Sequence, residues 1–144
     1  MDFRELDRQV LVASDAVGIA DMKRAAEKGV TLVVNNRPDG EEPDQPTAAE
    51  LEQAARAEGM DYVHIPIDAE LSADKVAALG AALAKVEGRA LIFCRTGTRS
   101  TYLWALARAR QGMAPETLDH NARRAGYKIQ PIMRWLQQAA ASPE

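Results

Sequence analysis

Leu91-Ile92-Phe93-Cys94-Arg95-Thr96-Gly97-Thr98-Arg99-Ser100-Thr101 is the stretch that decides how this chain folds. Together with Ala90, its first three residues make an all-apolar run of strand length that leads straight into Cys94. From Ser100 to Arg110 the periodicity becomes helical, with Leu103, Leu106 and Ala107 inward. A buried strand, a short loop with a glycine and a helix in succession predict an α/β unit. The loop then lies at the carboxyl end of the strand, where parallel sheets bind their ligands. A helix opening there offers free amides and the positive end of its dipole to an anion. Gly97 lets the loop curl so that several N–H groups converge. Arg99 adds a planar guanidinium suited to bidentate oxyanion binding. The same field favours the ionised, nucleophilic form of the Cys94 sulfur. A thiolate and an oxyanion cradle in one loop are what covalent catalysis on a tetrahedral anion requires. A lone cysteine at a strand end is as readily a small buried residue. Gly97, Arg99 and the following helix set this one apart.

Outward from this stretch the chain alternates apolar runs with helical patterns. Val10-Leu11-Val12, Val30-Thr31-Leu32-Val33-Val34 and Asp61 to Ile67 read as further strands, the last ending near Pro66, which cannot donate to a ladder. Between them, a helix covers roughly 19–27, with Ile19, Met22, Ala25 and Ala26 on one face and Gly29 as its stop. Thr47-Ala48-Ala49-Glu50 is a capping box opening a helix that runs to Glu58. Ser72 caps another, with Val76, Leu79, Leu83 and Val86 on one face and Gly88 after it. Pro115 and Pro131 sit where helices begin. Leu118, Ala122 and Ala125 point inward from the first, and Ile132, Trp135, Leu136 and Ala139 from the second. Strands alternating with helices imply right-handed crossovers and a mainly parallel sheet. All-apolar strands suit a sheet covered on both faces. The fold class expected is α/β, three-layer αβα, with four to five strands. The tail Ala141-Ser142-Pro143-Glu144 is expected to fray.

The 144 residues suit one domain, 1–144, able to bury a core without staples. Composition is 47% hydrophobic and 27% charged, as in soluble globular chains. With 18 basic and 21 acidic residues the net charge is −3, which argues against a nucleic-acid partner. One cysteine allows no intrachain disulfide and suits a reducing compartment. No apolar run is long enough to cross a membrane, and the charged start Met1-Asp2-Phe3-Arg4-Glu5 lacks the apolar core of a signal peptide. A cytoplasmic protein without a membrane partner is expected. No His, Cys and carboxylate cluster has metal-ligand spacing, so neither metal nor other cofactor is expected.

Cys94-Arg95-Thr96-Gly97-Thr98-Arg99-Ser100 resembles the active-site loop shared by cysteine-dependent protein phosphatases and rhodaneses. The stretch Val33-Val34-Asn35-Asn36-Arg37-Pro38-Asp39-Gly40-Glu41, with Gln45-Pro46, is similar to the bacterial phosphatase-like domains of beta-lactamase hydrolase-like proteins. This resemblance runs from about Gly29 through Pro131. It implies a dual-specificity-phosphatase-like fold, Cys94 as nucleophile and Arg99 as anion ligand. Arg95, Thr96, Gly97, Thr98 and Ser100 would then line the substrate, a small oxyanion or phosphoester. Protein phosphatases carry five residues between the cysteine and the arginine, whereas here there are four, the spacing of rhodaneses, whose smaller loop holds a persulfide.

A phosphatase also needs an acid for the leaving alkoxide. In dual-specificity phosphatases it is an aspartate on the loop after the strand preceding the nucleophile's strand. Asp68 stands there, 26 residues before Cys94, as a catalytic candidate; a solvated loop aspartate is the plainer alternative. Asp39 is its rival. Asn36 and Arg37, beside Asn35 at the same sheet edge, are possible pocket residues with Asp39, unless Asn and Pro simply build the turn. His64 reads as a satisfied strand histidine, His120 has no matching ligand at i+4, and Arg123, Arg124 and Lys128 read as a solvated face. Trp104 fits either core or pocket wall.

Three functions follow, led by a cysteine-dependent phosphatase-like hydrolase with a Cys94 thio-phosphate intermediate. A rhodanese-type sulfurtransferase with a Cys94 persulfide is the alternative. A non-catalytic anion-binding or interaction module is the third, and the pairing of Cys94 with Arg99 weighs against it, since a pure binder needs no thiolate.

Overall fold

The structure is a computed structural model and describes residues 1–142. A five-stranded sheet runs through it in the order β1-β2-β5-β3-β4. These strands are β1 (Phe3–Glu5), β2 (Val10–Ala13), β3 (Val30–Asn35), β4 (Asp61–His64) and β5 (Arg89–Phe93). β2, β5, β3 and β4 are parallel, and β1 pairs antiparallel with β2 at the edge, Arg4 opposite Val12. The α/β class and the mainly parallel sheet agree with the pattern of apolar runs. β1 is absent from that pattern: Phe-Arg-Glu is too short and too charged to show strand character.

Side chains on β5 alternate between two cores, as strand geometry requires. Leu91 and Phe93 pack with Leu11, Val33, Met22, Ala25, Leu51 and Ala55, under the helices α1 (Asp21–Glu27) and α2 (Ala48–Ala57). Ala90 and Ile92 pack on the other face, under α3 (Ala73–Lys85), α4 (Thr98–Arg110), α5 (Pro115–Arg124) and α6 (Met133–Ala141). This makes three layers, with β5 central and buried on both sides.

Local signals account for three of the helix starts. The Thr47–Glu50 capping box is formed, Ser72 Oγ accepts from Lys75 N–H, and Pro115 opens α5. Two inward assignments are corrected. Ile19 is exposed because α1 starts later, at Asp21, whose carboxylate accepts the Gly18 N–H at 2.8 Å and leaves Ile19 in the preceding turn. Trp135 is 52% exposed, since it lies about 100° around α6 from the fully buried Leu136. A short 3₁₀ turn, Gln130–Ile132, takes Pro131, and α6 begins after it. The strand expected to reach Ile67 ends at His64, but the Ile65 and Ile67 amides still donate to Asn35 O and Asn36 O at 2.9 Å. Of the tail expected to fray, Ala141 ends α6, and Pro143 and Glu144 lie outside the described residues.

Trp104 belongs to the core. Its Nε1–H donates to Asp7 Oδ2 at 2.8 Å, and Arg108 Nε donates to the same oxygen at 2.9 Å. Asp7 Oδ1 accepts the Gln9 and Val10 amides, so the β1–β2 turn is tied to α4. The helix whose first turn meets Cys94 is thereby anchored by its middle to the sheet edge.

Candidate active site

Parallel registration brings the carboxyl ends of β3 and β5 together, with Asn35 beside Phe93. The Asn36 amide donates to Phe93 O at 2.8 Å, which places it against the start of the Cys94 loop. Four residues then turn the chain from β5 into α4. Gly97 is the N-cap of α4 with φ +94°, a left-handed conformation that favours glycine. Its N–H points back to Cys94 Sγ at 3.2 Å. Cys94 is 1% exposed, just before the amino end of a thirteen-residue helix. A backbone donor and a helix N-terminus thus face the space beside the sulfur, where an anion would be drawn.

The loop is braced from several sides. Tyr127 donates its hydroxyl to Thr96 O at 2.9 Å. A Cβ on Gly97 would overlap that hydroxyl and lie 2.9 Å from Ala13 O. Thr101 Oγ1 donates to Gly97 O at 2.7 Å. Ser100 is fully buried and donates its hydroxyl proton to Asn36 Oδ1 at 2.7 Å, while Asn36 Nδ2 donates to Ile65 O. Ser100 and Asn36 thus cross-link three elements, and the Ser100 hydroxyl proton is engaged by Asn36. Asn35 accepts from the Arg37 amide and donates to Tyr62 Oη, both within 2.9 Å. Burial, against the opposing Arg4 charge, raises the Tyr127 phenol above its ordinary pKa, so it remains a donor at neutral pH.

Arg99 lies beside this loop. Its Nη1 donates to Glu41 Oε2 and to Ile67 O, both at 2.6 Å, and its Nη2 donates to Glu41 Oε1 at 3.1 Å. The hydrogen bond to Glu41 is the main reason Arg99 holds its proton more tightly than usual, with Cys94 contributing in the same direction. The Arg99 hydrogen bond likewise holds the Glu41 carboxyl below its ordinary range, against the opposing effect of burial. Glu41 also accepts from Arg37 Nε at 2.9 Å, and Glu42 pairs with Arg37 at 2.7 Å and Arg95 at 3.0 Å. Three guanidiniums therefore face two carboxylates, a balance of +1 beside the helix N-terminus.

Arg95 and Thr96 are exposed on the loop, Gly97 is buried within it, and Thr98 is exposed at the start of α4. Arg37 is buried and pairs with Glu41 and Glu42, while its carbonyl meets His64 Nε2 at 2.8 Å. Asp39 Oδ1 accepts the Ala48 amide at 2.7 Å, at the start of α2. Asp68 follows directly on Ile67, whose carbonyl Arg99 holds. It is exposed, accepts the Ala69 amide at 2.6 Å, and lies 3.7 Å from Lys75 Nζ. Chiefly through the Ala69 amide, its carboxyl is held below the ordinary value, in a state that favours the carboxylate. Two contributors went unnoticed in sequence. Glu41 stood in view within the quoted stretch, but nothing there signals its pairing with a residue 58 positions on. Tyr127 carried no local signal at all.

The chain is similar to known proteins over most of its length. The family model for the phosphatase-like domain of beta-lactamase hydrolase-like proteins matches residues 2–111. The match begins earlier than the expected Gly29 and ends before α5. The beta-lactamase hydrolase-like protein of Agrobacterium fabrum is 34% identical over 128 residues, 87% of this chain and 30% of that protein. That of Xylella fastidiosa strain 9a5c is 32% identical over 117 residues, 80% of this chain and 27% of that protein. The chain thus spans less than a third of these relatives. A candidate phosphatase from Neisseria meningitidis has a crystal structure with TM-score 0.83 and 29% identity, covering 96% of this chain and 99% of that one. The active form of Tk-PTP matches with TM-score 0.72 at 19% identity, over 96% of this chain and 94% of its own, a likeness of fold. Sequence, sheet order and loop position converge: this chain belongs to the family of phosphatase-like domains of beta-lactamase hydrolase-like proteins.

Proposed function

We propose that the protein is a cysteine-dependent hydrolase of phosphate monoesters. The Gly97 N–H on Cys94 Sγ, at the opening of α4, carries this reading: a nucleophilic sulfur sits where a tetrahedral anion would be drawn. In the reaction the thiolate attacks phosphorus, the S–P bond forms and the P–O ester bond breaks. The leaving alkoxide takes a proton from an acid, for which Asp68 is the candidate. Water then attacks phosphorus, the S–P bond breaks, and the thiolate is restored with release of phosphate. Loop amides and Arg99 stabilise the charge that spreads over the equatorial oxygens. The exposed Arg95, Thr96 and Thr98 form the rim a substrate meets first.

A second reading rests on the four-residue gap between Cys94 and Arg99. The smaller ring suits a sulfur atom. The Cys94 thiolate would attack the outer sulfur of thiosulfate, an S–S bond would form on the enzyme, and sulfite would leave. A thiol or cyanide acceptor would then take the sulfur. No acid is needed for that departure, which accords with the carboxylate state favoured at Asp68.

Side-by-side turnover of an aryl phosphate and of thiosulfate by the wild type and Cys94→Ser tests both. Ester hydrolysis lost in Cys94→Ser supports the first reading. Thiosulfate turnover with a one-sulfur mass gain on Cys94, and no ester hydrolysis, replaces it with the second.

A further inference from the structure

The geometry points to Glu41 as the positioning residue for Arg99: its carboxylate clamps one end of the guanidinium and leaves the other edge free for an incoming oxyanion. This rests on the reading above that Arg99 receives the substrate's charged oxygens.

A guanidinium carries five N–H donors. Glu41 takes one from each Nη, and Ile67 O takes the second proton of Nη1. Two donors are taken by neither Glu41 nor Ile67, the second Nη2–H and Nε–H, and the guanidinium also lies within hydrogen-bonding reach of Cys94. These two donors lie side by side on one edge, the arrangement that grips two oxygens of a tetrahedral anion. An oxyanion therefore has no need to displace Glu41. It meets a fork already set, with the side chain's freedom removed before binding.

Glu41 can serve in this way because it is itself fixed. Arg37 donates to its Oε1 at 2.9 Å, and Arg37 is a buried side chain also held by Glu42 at 2.7 Å. The order runs from the end of β3 through Arg37 and Glu41 to Arg99, on the first turn of α4. The charge of Arg37 also offsets that of Glu41, so the clamp does not repel the anion it prepares for. A bare carboxylate beside an oxyanion site would weaken binding; one shared between two guanidiniums leaves the cluster positive.

The test uses the intact protein and inorganic sulfate, an anion that stays doubly charged across the working pH range and calls for no turnover. Nitrogen-detected or proton–nitrogen spectra follow the Arg99 Nη protons, and the Trp104 Nε1–H, bonded to Asp7, reports the fold. In the wild type the Nη protons held by Glu41 and Ile67 are expected as distinct, slowly exchanging signals. Glu41→Gln keeps the shape but turns one acceptor into a donor facing the guanidinium. The Arg99 signals should broaden, and sulfate affinity should fall on the order of tenfold to a hundredfold, the scale of a misplaced binding group, with Trp104 unchanged. Glu41→Asp keeps the charge one methylene shorter and should fall between the two. If Glu41→Gln does not fold, the loss in Glu41→Asp against the wild type carries the comparison. Sulfate binding as tight as or tighter than wild type, in a folded variant with distinct, slowly exchanging Arg99 signals, overturns the proposal. Absence of sulfate binding by the wild type would instead count against Arg99 as the anion ligand, and the Arg99 signals alone would still decide whether Glu41 holds it.

Discussion

Replacing Gly97 with alanine probes the loop at its tightest point. Two costs arise, and a second glycine separates them. At φ +94° any L-residue carries a left-handed penalty of about 1–2 kcal/mol. The added Cβ would also overlap the Tyr127 hydroxyl and lie 2.9 Å from Ala13 O, a backbone atom that cannot yield as a side chain would. Overpacking of this kind adds about 1–3 kcal/mol. Alanine's stiffer unfolded chain returns about 0.4–1 kcal/mol. The net expected loss is roughly 2–4 kcal/mol. Gly112 lies just beyond α4 at φ +102°, with nothing within 4 Å of the place a Cβ would take, so Gly112→Ala should cost only the conformational part, about 1 kcal/mol. Urea unfolding followed by tryptophan fluorescence measures both variants. Turnover and sulfate binding of Gly97→Ala should fall as well, because the N–H aimed at Cys94 moves with the loop. Equal losses in the two variants would refute the close contact with Tyr127 and Ala13. No loss in either would refute the conformational account.

Three further outcomes are expected. Arg99→Lys keeps the charge but loses the planar fork and the clamp by Glu41; turnover should drop about 10²–10³-fold, the scale for one lost oxyanion donor, while unchanged kinetics would make the arginine structural. Asp68→Asn should slow hydrolysis of alkyl or tyrosyl phosphates far more than of an aryl phosphate with a good leaving group, as Brønsted analysis across leaving groups would reveal; equal effects on both would remove Asp68 as the acid. The Glu41 carboxyl, held below its unfolded value of 4.5 mainly by Arg99, contributes stability that is whole above that pH and is lost as pH falls through its native value. Acid unfolding of Glu41→Gln should therefore be less steep below pH 4.5 than that of the wild type, and superimposable curves would show the pair to be without effect on folding.

Elements set by near neighbours were legible in the sequence. The apolar run before Cys94, the Thr47–Glu50 box, the Ser72 cap and Pro115 each act within a few residues, so β5, α2, α3 and α5 could be read directly. The nucleophile candidate, its glycine and its arginine were legible for the same reason, since a strand, a tight loop and a helix start fit within one short stretch. Ile19 and Trp135 show the limit: periodicity gives a face but not the point where a helix begins or the edge of its buried stripe. β1 has no signal of its own and exists because β2 offers an open edge.

What only the tertiary structure decided is how the loop is held and which of its groups remain free. The acidic residues number 21, and no local rule says which will meet Arg99. The selection of Glu41 follows from β3 lying beside β5, which carries the Asn36–Glu42 loop over the first turn of α4. The same registration spends the Ser100 hydroxyl on Asn36, 64 residues away, and the turn after α5 brings Tyr127 to Thr96 across 31. The chemistry of the Cys94 loop was thus written in adjacent residues, because a backbone turn and a helix terminus are local objects. Its rigidity and charge balance were not, because hydrogen bonds and ion pairs depend on distance in space, and the sheet alone sets that distance.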